Sequence, residues 1–438
     1  MAASRPRQLH LNANIFPSGR HAAAWRRHAA PPWPTDFDHL AAIGRAAEQA
    51  TFDAIFLSDQ PGLDPSAVDR PWLALDPLVA WTAVARETRH IGLVATASTT
   101  FEHPYNLARR YASLAHASGG RAAWNIVTTH HAGVAGNFGL RELPDHARRY
   151  ARAEEFVDIV TRLWDSWEPG AIAADPAAPQ YLDLAKVHPV AFHGEFFDVQ
   201  GRFGVPPAPG GRPVLFQAGD SSESRDLGAR WADALFVVAR TLADGQALRR
   251  DIDERARRFG RDPSKVLIMP GLLTVLGDTE GAAWRDKEAL DAQLDLTAEQ
   301  RRLAALFGVP PERVPLDQPL AADLLDGAWT QSKTRGFAAG LLSEALAKGW
   351  TARQAIAHNP GGHRALIGTP EQVADDLARW FTEGAADGFN INFDTYPDDL
   401  TIFGEQVVPL LRRRGIFREA YEGTTLRGHL GLDASDGA

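Results

Sequence analysis

The sequence predicts an α/β fold, a single (β/α)8 barrel with inserted segments. Eight short apolar runs, each bounded by turn residues, alternate with stretches of helical length, and this alternation indicates a parallel sheet. The runs are apolar throughout, as expected of strands that are covered on both faces. An open doubly wound sheet is the alternative, but the segment after the first strand, PSGRHAAAWRRH, lacks the GxGxxG phosphate loop of that fold. The barrel is therefore preferred.

The first half of the chain contains four predicted strand–helix units. The strands are expected at 9–16, 54–57, 91–96 and from about residue 121. The helices are expected at 37–50, 77–87, 104–117 and 145–167. Pro104 stands in the first turn of its helix, where proline is tolerated. The fourth strand opens near Thr128 into a polar, glycine-rich stretch, and barrel enzymes place active-site residues in such loops.

The second half supplies the other four strands, with two interruptions. The strands are expected at 213–218, 234–239, 266–276 and 389–393, and helices at 242–259, 370–382 and 400–413. Thr369 before Pro370 is a typical helix N-cap. Insertions are expected at about 168–211, with a possible hairpin, and at about 279–368, which includes the loop HNPGGH. Residues 1–422 would form one domain, followed by a polar tail at 423–438.

Composition limits the classes of function. The net charge of -9 argues against a broad nucleic-acid-binding surface. The absence of cysteine excludes disulfides, thiolate metal sites and a cysteine nucleophile, and it fits a reducing cytoplasm. Neither a signal peptide nor an apolar run of 18 residues is found, so a cytoplasmic protein without a membrane span is expected.

Several common catalytic motifs are absent from the sequence. The chain has no GxxxxGK[ST], no GxGxxG and no HExxH, and the segment GDSSE lacks the last glycine of GxSxG. His130 and His131 are adjacent, which makes it difficult for both to bind one metal ion. We therefore expect no metal site.

Polar residues at the predicted carboxyl ends of strands form the candidate site, because barrel active sites lie at that face. They are Asp59, Thr96, Asn125, Thr128, Ser221, Ser222, Asn392 and Asp394. His146 and Tyr150 share one face at the start of a predicted helix, where an anion is favoured. Ser221 and Ser222 precede a helix expected near Arg225 and form a second candidate phosphate-binding turn. The alternatives are ordinary loop starts and a surface pair.

A set of longer segments gives a more specific indication. They are LHLNANIFPSGRHAAAWR, FDAIFLSD, RAAWNIVTT with a downstream NFG, HARRYARAEEFVDIVTRLWDSWE, FHGEFFDVQG, GRPVLFQAGDSSESRD and IGTPEQVADDLARWFTEGAADGFNI. In this ordered set the chain resembles the bacterial-luciferase-like flavin monooxygenases, especially the group of nitrilotriacetate monooxygenase, dibenzothiophene-sulfone monooxygenase and pristinamycin synthase. The resemblance implies a (β/α)8 barrel with insertions, in agreement with the element pattern.

The resemblance also implies a chemistry. Family members use dioxygen and reduced FMN, which a separate NAD(P)H-dependent flavin reductase supplies, and one oxygen atom enters the substrate. The implied FMN-binding positions are Asp59, Thr96, Asn125, Thr128, His146, Tyr150, Ser221 and Ser222. Tyr150 and the two serines would hold the phosphate, and the residues of strands three and four would lie beside the ring system. A homodimer or homotetramer is expected on the same grounds.

One segment departs from the family pattern. Relatives commonly have GHHxxAWR, whereas this chain has Gly19-Arg20-His21 followed by AAAWR. His21 keeps the second histidine and is the candidate catalytic proton donor or substrate contact. Arg20 replaces the first histidine. It would either pair with a carboxylate or sulfur oxyanion of the substrate, or face solvent or a partner subunit.

These observations predict a two-component, reduced-FMN-dependent monooxygenase that acts on a small organic substrate, with C–S or C–N cleavage. A deazaflavin-dependent oxidoreductase of the same superfamily is one alternative, and a non-catalytic flavin-binding protein is another. A glycosidase is disfavoured, because the motifs place no pair of carboxylates. The second insertion is a candidate lid or substrate wall.

Overall fold

A computed structural model describes residues 7–432, except 30, 64, 130–131, 178, 327–334 and 359–361. The strands are β1 (His10–Ile15), β2 (Ala54–Leu57), β3 (Gly92–Ser98), β4 (Ala122–Val127), β5 (Pro189–His193), β6 (Asp198–Arg202), β7 (Val214–Ala218), β8 (Ala234–Val237), β9 (Leu267–Leu276), β10 (Arg364–Gly368) and β11 (Gly388–Phe393). The adjacent histidines at 130–131 and the centre of the HNPGGH loop lie outside the described residues.

The helices follow the strands in the predicted alternation. They are α1 (Phe37–Gln49), α2 (Pro77–Glu87), α3 (Pro104–Ser118), α4 (His146–Trp164), α5 (Ser222–Trp231), α6 (Leu242–Arg258), α7 (Glu280–Asp291), α8 (Leu296–Phe307), α9 (Arg335–Lys348), α10 (Ala352–Ala357), α11 (Pro370–Thr382), α12 (Asp398–Gln406), α13 (Val408–Arg413) and α14 (Leu426–His429). The helix predicted at 400–413 is divided into α12 and α13, and a proline stands in the first turn of α13.

Eight of the strands form a closed parallel barrel, which confirms the predicted fold class. The order around the barrel is β1, β2, β3, β4, β7, β8, β9 and β11, and β11 pairs with β1 to close the ring. β5 and β6 form an antiparallel hairpin. β10 pairs with the second half of β9. β10 is not predicted from the sequence, because a five-residue strand beside the end of a longer one has too short a pattern to recognise.

Aromatic and asparagine side chains fill the centre of the barrel. Phe56 packs edge-on against Phe216 and Phe236, with ring centroids 5.9 and 5.4 Å away. Asn12 donates a hydrogen bond of 3.0 Å to Oδ1 of Asn390 across the β1–β11 pair. Buried amides must be paired to be stable, so this contact helps to hold β1 beside β11.

The end of the described chain closes the amino-terminal end of the barrel. Leu426, Leu430 and Leu432 are buried in the cluster of residues that fills the barrel interior, and Leu426 lies against Gly92 at the start of β3. The prediction of a polar tail is therefore wrong for residues 423–432. Leu426 and Leu430 are four residues apart and share one face of α14, but two leucines in a polar segment are too few to reveal a core helix.

The segment between β9 and β10 contributes helices that cover the opposite, carboxyl-terminal end. α8, α9 and α10 pack around their own apolar cluster, in which Phe307, Leu324 and Leu341 are fully buried. α7 lies against β9 and β10. A cavity remains between these helices and the segments that follow β1, β2 and β11. No helix of the described residues is long and apolar enough to cross a membrane.

Candidate active site

Thr96 and Asn125 lie side by side near the carboxyl ends of β3 and β4. They are register partners, and Nδ2 of Asn125 donates a 2.9 Å hydrogen bond to Oγ1 of Thr96. Both side chains are buried, yet Oδ1 of Asn125 has no hydrogen-bond partner among the described residues. A buried acceptor without a partner costs free energy, so this oxygen indicates that a ligand with a donor group completes the site.

Thr128 lies just beyond β4, where the chain leaves the barrel. Its backbone oxygen accepts a 2.9 Å hydrogen bond from Oγ1 of Thr100, and its side chain is buried. Oγ1 of Thr129 donates at 2.6 Å to Oγ of Ser98. These contacts tie the ends of β3 and β4 together and hold the surroundings of Thr96 and Asn125 in one arrangement.

The helix starts that carry the predicted phosphate ligands lie next to each other. His146 begins α4 and Glu223 lies in the first turn of α5, and Nδ1 of the histidine is 3.9 Å from Oε2 of the glutamate. The ring centroids of His146 and Tyr150 are 4.7 Å apart. Two helix N-termini therefore face one region, and both favour a bound anion. Glu223 opposes this preference, since a carboxylate repels a phosphate.

The two serines of this region have different environments. Ser221 is the N-cap of α5, and its side chain accepts a 3.2 Å hydrogen bond from the backbone N–H of Ser224. Ser222 is exposed, and its Oγ accepts from Nη1 of Arg255 at 3.3 Å. α5 thus begins at Ser222, three residues before the predicted start. Ser221 is the better placed of the two to face a ligand at the helix start.

Asp59 follows β2 on the same face of the barrel. Burial, with the nearby carboxylates of Asp76 and Glu102, raises the pKa of Asp59 to about 6. A carboxyl group with a raised pKa at the carboxyl-terminal face of a barrel is a candidate functional group.

Arg20 and His21 lie in a second region, a cavity of about 460 Å3. The segment after β1 lies against the end of β11 here. The backbone N–H of Arg20 donates to O of Phe393, and that of His21 donates to O of Asp394. Gly19 makes this approach possible. Its φ is +134°, and a Cβ atom there would lie 2.0 Å from the backbone oxygen of Asp394.

Both ring nitrogens of His21 are used within the protein. Nδ1 accepts from the backbone N–H of Ala23 at 3.0 Å, so the proton is on Nε2, which lies 2.9 Å from Oδ1 of Asp291. Lys287 pairs with the same carboxylate. In this arrangement His21 has no ring nitrogen left to donate a proton to a substrate. The imidazole instead anchors the segment after β1 to α7.

A ring of four charges links the loop after β2 to α8. Arg70 and Arg302 each form ion pairs with both Asp69 and Glu299. Three of these residues line the cavity, as do apolar side chains of α8. The inserted helices and the loop after β2 are thus joined across the cavity.

The comparison with known families decides the identity. The model of the luciferase-like monooxygenases matches residues 17–387. The chain belongs to the luciferase-like monooxygenase family. It is 38% identical to N-acetyl-S-(2-succino)cysteine monooxygenase of Bacillus subtilis (strain 168) over 98% of both proteins. It is also 38% identical to nitrilotriacetate monooxygenase component A of Aminobacter aminovorans over 97% of both. The predicted resemblance is confirmed, and the protein is a monooxygenase.

Solved structures of the family agree with the fold. EDTA monooxygenase from Chelativorans sp. BNC1 has a TM-score of 0.87 and 33% identity, with 99% of this chain and 100% of that chain covered. Riboflavin lyase, solved with modified FMN and riboflavin, has a TM-score of 0.83 and 28% identity, with 98% and 96% covered.

In this luciferase-like monooxygenase the predicted residues lie in three places, apart from Asp59, which follows β2. Thr96, Asn125 and Thr128 lie together at β3 and β4, and His146, Tyr150, Ser221 and Ser222 lie at the starts of α4 and α5. Arg20 and His21 line the cavity instead. Two residues of this region were not predicted from the sequence: Asp291, which contacts the predicted histidine, and Lys287, which pairs with the carboxylate of Asp291. Their only signal is a spacing of four on a helix, and nothing in it points to a partner 270 residues away.

We expect Asp59→Asn to stabilise the monooxygenase at neutral pH and not in acid. Because the pKa of Asp59 is raised from 3.8 to about 6 on folding, the folded state binds the proton more tightly than the unfolded state. Stability is therefore lost as the pH rises through this window, and the asparagine variant avoids the loss. Thermal unfolding should show a midpoint higher by roughly 1–3 °C at pH 7.5 and no difference below pH 4. Asp278→Asn, at an exposed site, is the control. Identical shifts in the two variants would contradict the assignment.

Proposed function

We propose that this protein is the oxygenase of a two-component system, which uses reduced FMN and dioxygen to oxidise a small organic molecule with C–S or C–N cleavage. The observation that supports it most is the buried Oδ1 of Asn125, which has no hydrogen-bond partner among the described residues, in a luciferase-like barrel in which two helix N-termini also lie next to each other. Relatives named as a component of a nitrilotriacetate monooxygenase and as a monooxygenase of a sulfur-substituted cysteine support the two-component system and the outcome.

The described residues fit a flavin phosphate and ring. Asn125 and Thr96 present a donor and acceptor pair that suits the polar edge of a planar ring, and the strand ends around them are fixed by hydrogen bonds. Tyr150 and Ser221 would hold the phosphate between the starts of α4 and α5, where both helix dipoles favour an anion. Reduced FMN, when bound, supplies the electrons that activate dioxygen.

The protein's own residues would orient the substrate and exclude water. The ion pairs of Asp69, Arg70, Glu299 and Arg302 hold the inserted helices against the loop after β2. His21 contacts Asp291 and so fixes α7 beside the end of β11, while Lys287 of the same helix pairs with that carboxylate. Exclusion of water protects a reactive site, so these contacts would serve the reaction although they lie outside the ring-binding residues.

Two measurements test the proposal. FMN, reduced FMN and a deazaflavin are titrated against the protein by fluorescence, and binding of reduced FMN in preference to the deazaflavin is expected. The protein is then coupled to a generic flavin reductase, and thioethers, sulfones and tertiary amines are screened by mass spectrometry. A product that has gained one oxygen, or a cleaved product, is expected. Tight binding of the deazaflavin alone, or reduced flavin consumed without product from any substrate, would contradict the proposal.

We expect Tyr150→Phe to weaken FMN binding and to leave the fold intact. The ring of Tyr150 is buried beside His146, and phenylalanine keeps the packing while it removes the hydroxyl. A lost hydrogen bond to a charged group corresponds to about 1.5–3 kcal/mol, or roughly a 10- to 100-fold loss of affinity. Tyr181→Phe, at a residue that is 71% exposed, is the matched control. Unchanged FMN affinity in Tyr150→Phe would remove this residue from the site.

A further inference from the structure

Of the positively charged side chains that line the cavity beside β1, most but not all are paired with carboxylates. Its lining includes four arginine and lysine cations, which are Arg20, Arg70, Lys287 and Arg302. Arg70 and Arg302 each form ion pairs with two carboxylates, and Lys287 pairs with Asp291. Arg20 differs from the other three, because no hydrogen bond or ion pair to its guanidinium is found within the described residues.

Arg20 is held in place without the use of its N–H donors. Its Cζ atom lies 4.7 Å from the centroid of the Phe16 ring, a cation–π contact that leaves the edge of the guanidinium available. The side chain is partly buried. Burial and the neighbouring Arg70 lower its pKa to about 10, while the nearby carboxylate of Asp394 acts in the opposite direction, so the group still carries its charge at neutral pH.

Arg121 shows what an arginine with a purely structural role looks like in the same protein. Its guanidinium is buried and donates to Oγ1 of Thr88 and to the backbone oxygens of Ala85, Thr88, Ile91 and Ser118. Every donor direction of Arg121 is thus used, as the desolvation of a buried charge requires. Arg20 lacks such contacts, which indicates that its partner is an external anion.

The remainder of the cavity limits the shape and charge of that partner. Apolar side chains of the loop after β2 and of the inserted segment form the walls: Trp72, Leu73, Leu294, Leu303, Leu306 and Ile356. The lining also contains two buried oxygens without a hydrogen-bond partner among the described residues, Oγ of Ser18 and Oδ2 of Asp394. Neither residue adds positive charge to the cavity. A second anionic group of the ligand would find no further arginine or lysine without an ion pair among the described lining residues.

We propose that the cavity binds a substrate with one carboxylate, held by the guanidinium of Arg20, and an apolar remainder against the inserted helices. This deepens the proposed function, on which it rests for the identity of the cavity as the substrate site. It also separates this chain from a protein that acts on molecules with three or four carboxylates, because the described lining offers one arginine that forms no hydrogen bond or ion pair within the described residues.

Ligand-observed NMR titration at pH 7.5 tests the inference without turnover. The probes are hexanoate, its neutral isostere hexanamide, and the tricarboxylate tricarballylate. We expect hexanoate to bind roughly 10- to 100-fold more tightly than hexanamide, as expected for a charge-assisted hydrogen bond, and also more tightly than tricarballylate. Arg20→Gln should remove the preference for hexanoate, and Arg20→Lys should keep part of it.

Arg26→Gln is the matched control, since Arg26 is an exposed arginine of the same segment that stacks on Trp25 outside the cavity. It should leave both affinities unchanged. Equal affinities of hexanoate and hexanamide in the native protein would overturn the inference. So would an equal loss for both probes in Arg20→Gln, or tighter binding of the tricarboxylate. FMN is titrated against the same samples. Failure to bind FMN with the carboxylate preference intact refutes the proposed function alone.

Discussion

Leu426→Ala should be among the most destabilising single substitutions in this protein, although it lies in a segment of polar appearance. Leu426 is fully buried and lies against Gly92, Leu430 and the interior residues of the barrel. Removal of a buried leucine side chain costs about 2–5 kcal/mol, because the cavity left behind is only partly filled by relaxation. Denaturant unfolding followed by tryptophan fluorescence measures the loss.

A chain that ends at Glu422 should lose more than the single variant. It lacks all three buried leucines, and it also lacks the ion pair of 3.1 Å between Arg427 and Asp233, which leaves a buried carboxylate without that partner. Total stabilities of domains are about 5–15 kcal/mol, so much of the truncated protein should be unfolded. Leu184→Ala, at a leucine that is 53% exposed, is the control. An unchanged unfolding midpoint in both altered chains would show that the segment does not close the barrel.

Gly219→Ala should abolish most of the affinity for FMN. The φ angle of Gly219 is +154°, and a Cβ atom would lie 2.1 Å from Oγ of Ser224. Ser224 is held by Gln217, whose Nε2 donates to the same oxygen at 2.5 Å, and by the N-cap Ser221. The alanine must therefore displace the first turn of α5. Since that turn is the proposed phosphate site, an affinity loss of about 10- to 100-fold is expected in a fluorescence titration.

Gly201→Ala provides a control with matched backbone strain. Gly201 has a φ of +150°, but a Cβ atom there would meet nothing within 4 Å, and it lies in β6 of the hairpin. Its substitution should leave FMN binding unchanged. If both variants bound FMN equally well, the start of α5 would not belong to the cofactor site.

The barrel could be predicted because each of its strands is a local apolar run. β2, α2 and α11 have the predicted bounds, and the other barrel strands differ by a few residues at their ends. The observed strand ends differ from the predicted ones because the last residues of a strand pair only where the neighbouring strand is long enough. A local sequence pattern carries no information about that neighbour. β10 depends entirely on such a neighbour, since it pairs only with the second half of β9.

The candidate site was predictable where function depends on a position along a strand. Thr96 and Asn125 stand near the carboxyl ends of apolar runs, so the barrel topology alone brings them to one face. The roles of His21 and Ser222 were not predictable. Their side-chain nitrogens and oxygens are occupied by Asp291 and Arg255, residues that are distant in sequence.

The sequence by itself determined the eight-stranded barrel, its family and the residues at its strand ends, because each of these depends on short-range pattern or on segments that are recognisable as they stand. Only the tertiary structure decided that the leucines of the last described segment close the barrel, that Arg20 lines a cavity without a hydrogen bond or ion pair to its guanidinium among the described residues, and that His21 is bound to α7. The physical reason is that burial and pairing arise between segments far apart in the chain. The partner of a charged side chain or of a buried leucine can therefore be identified only in the folded protein.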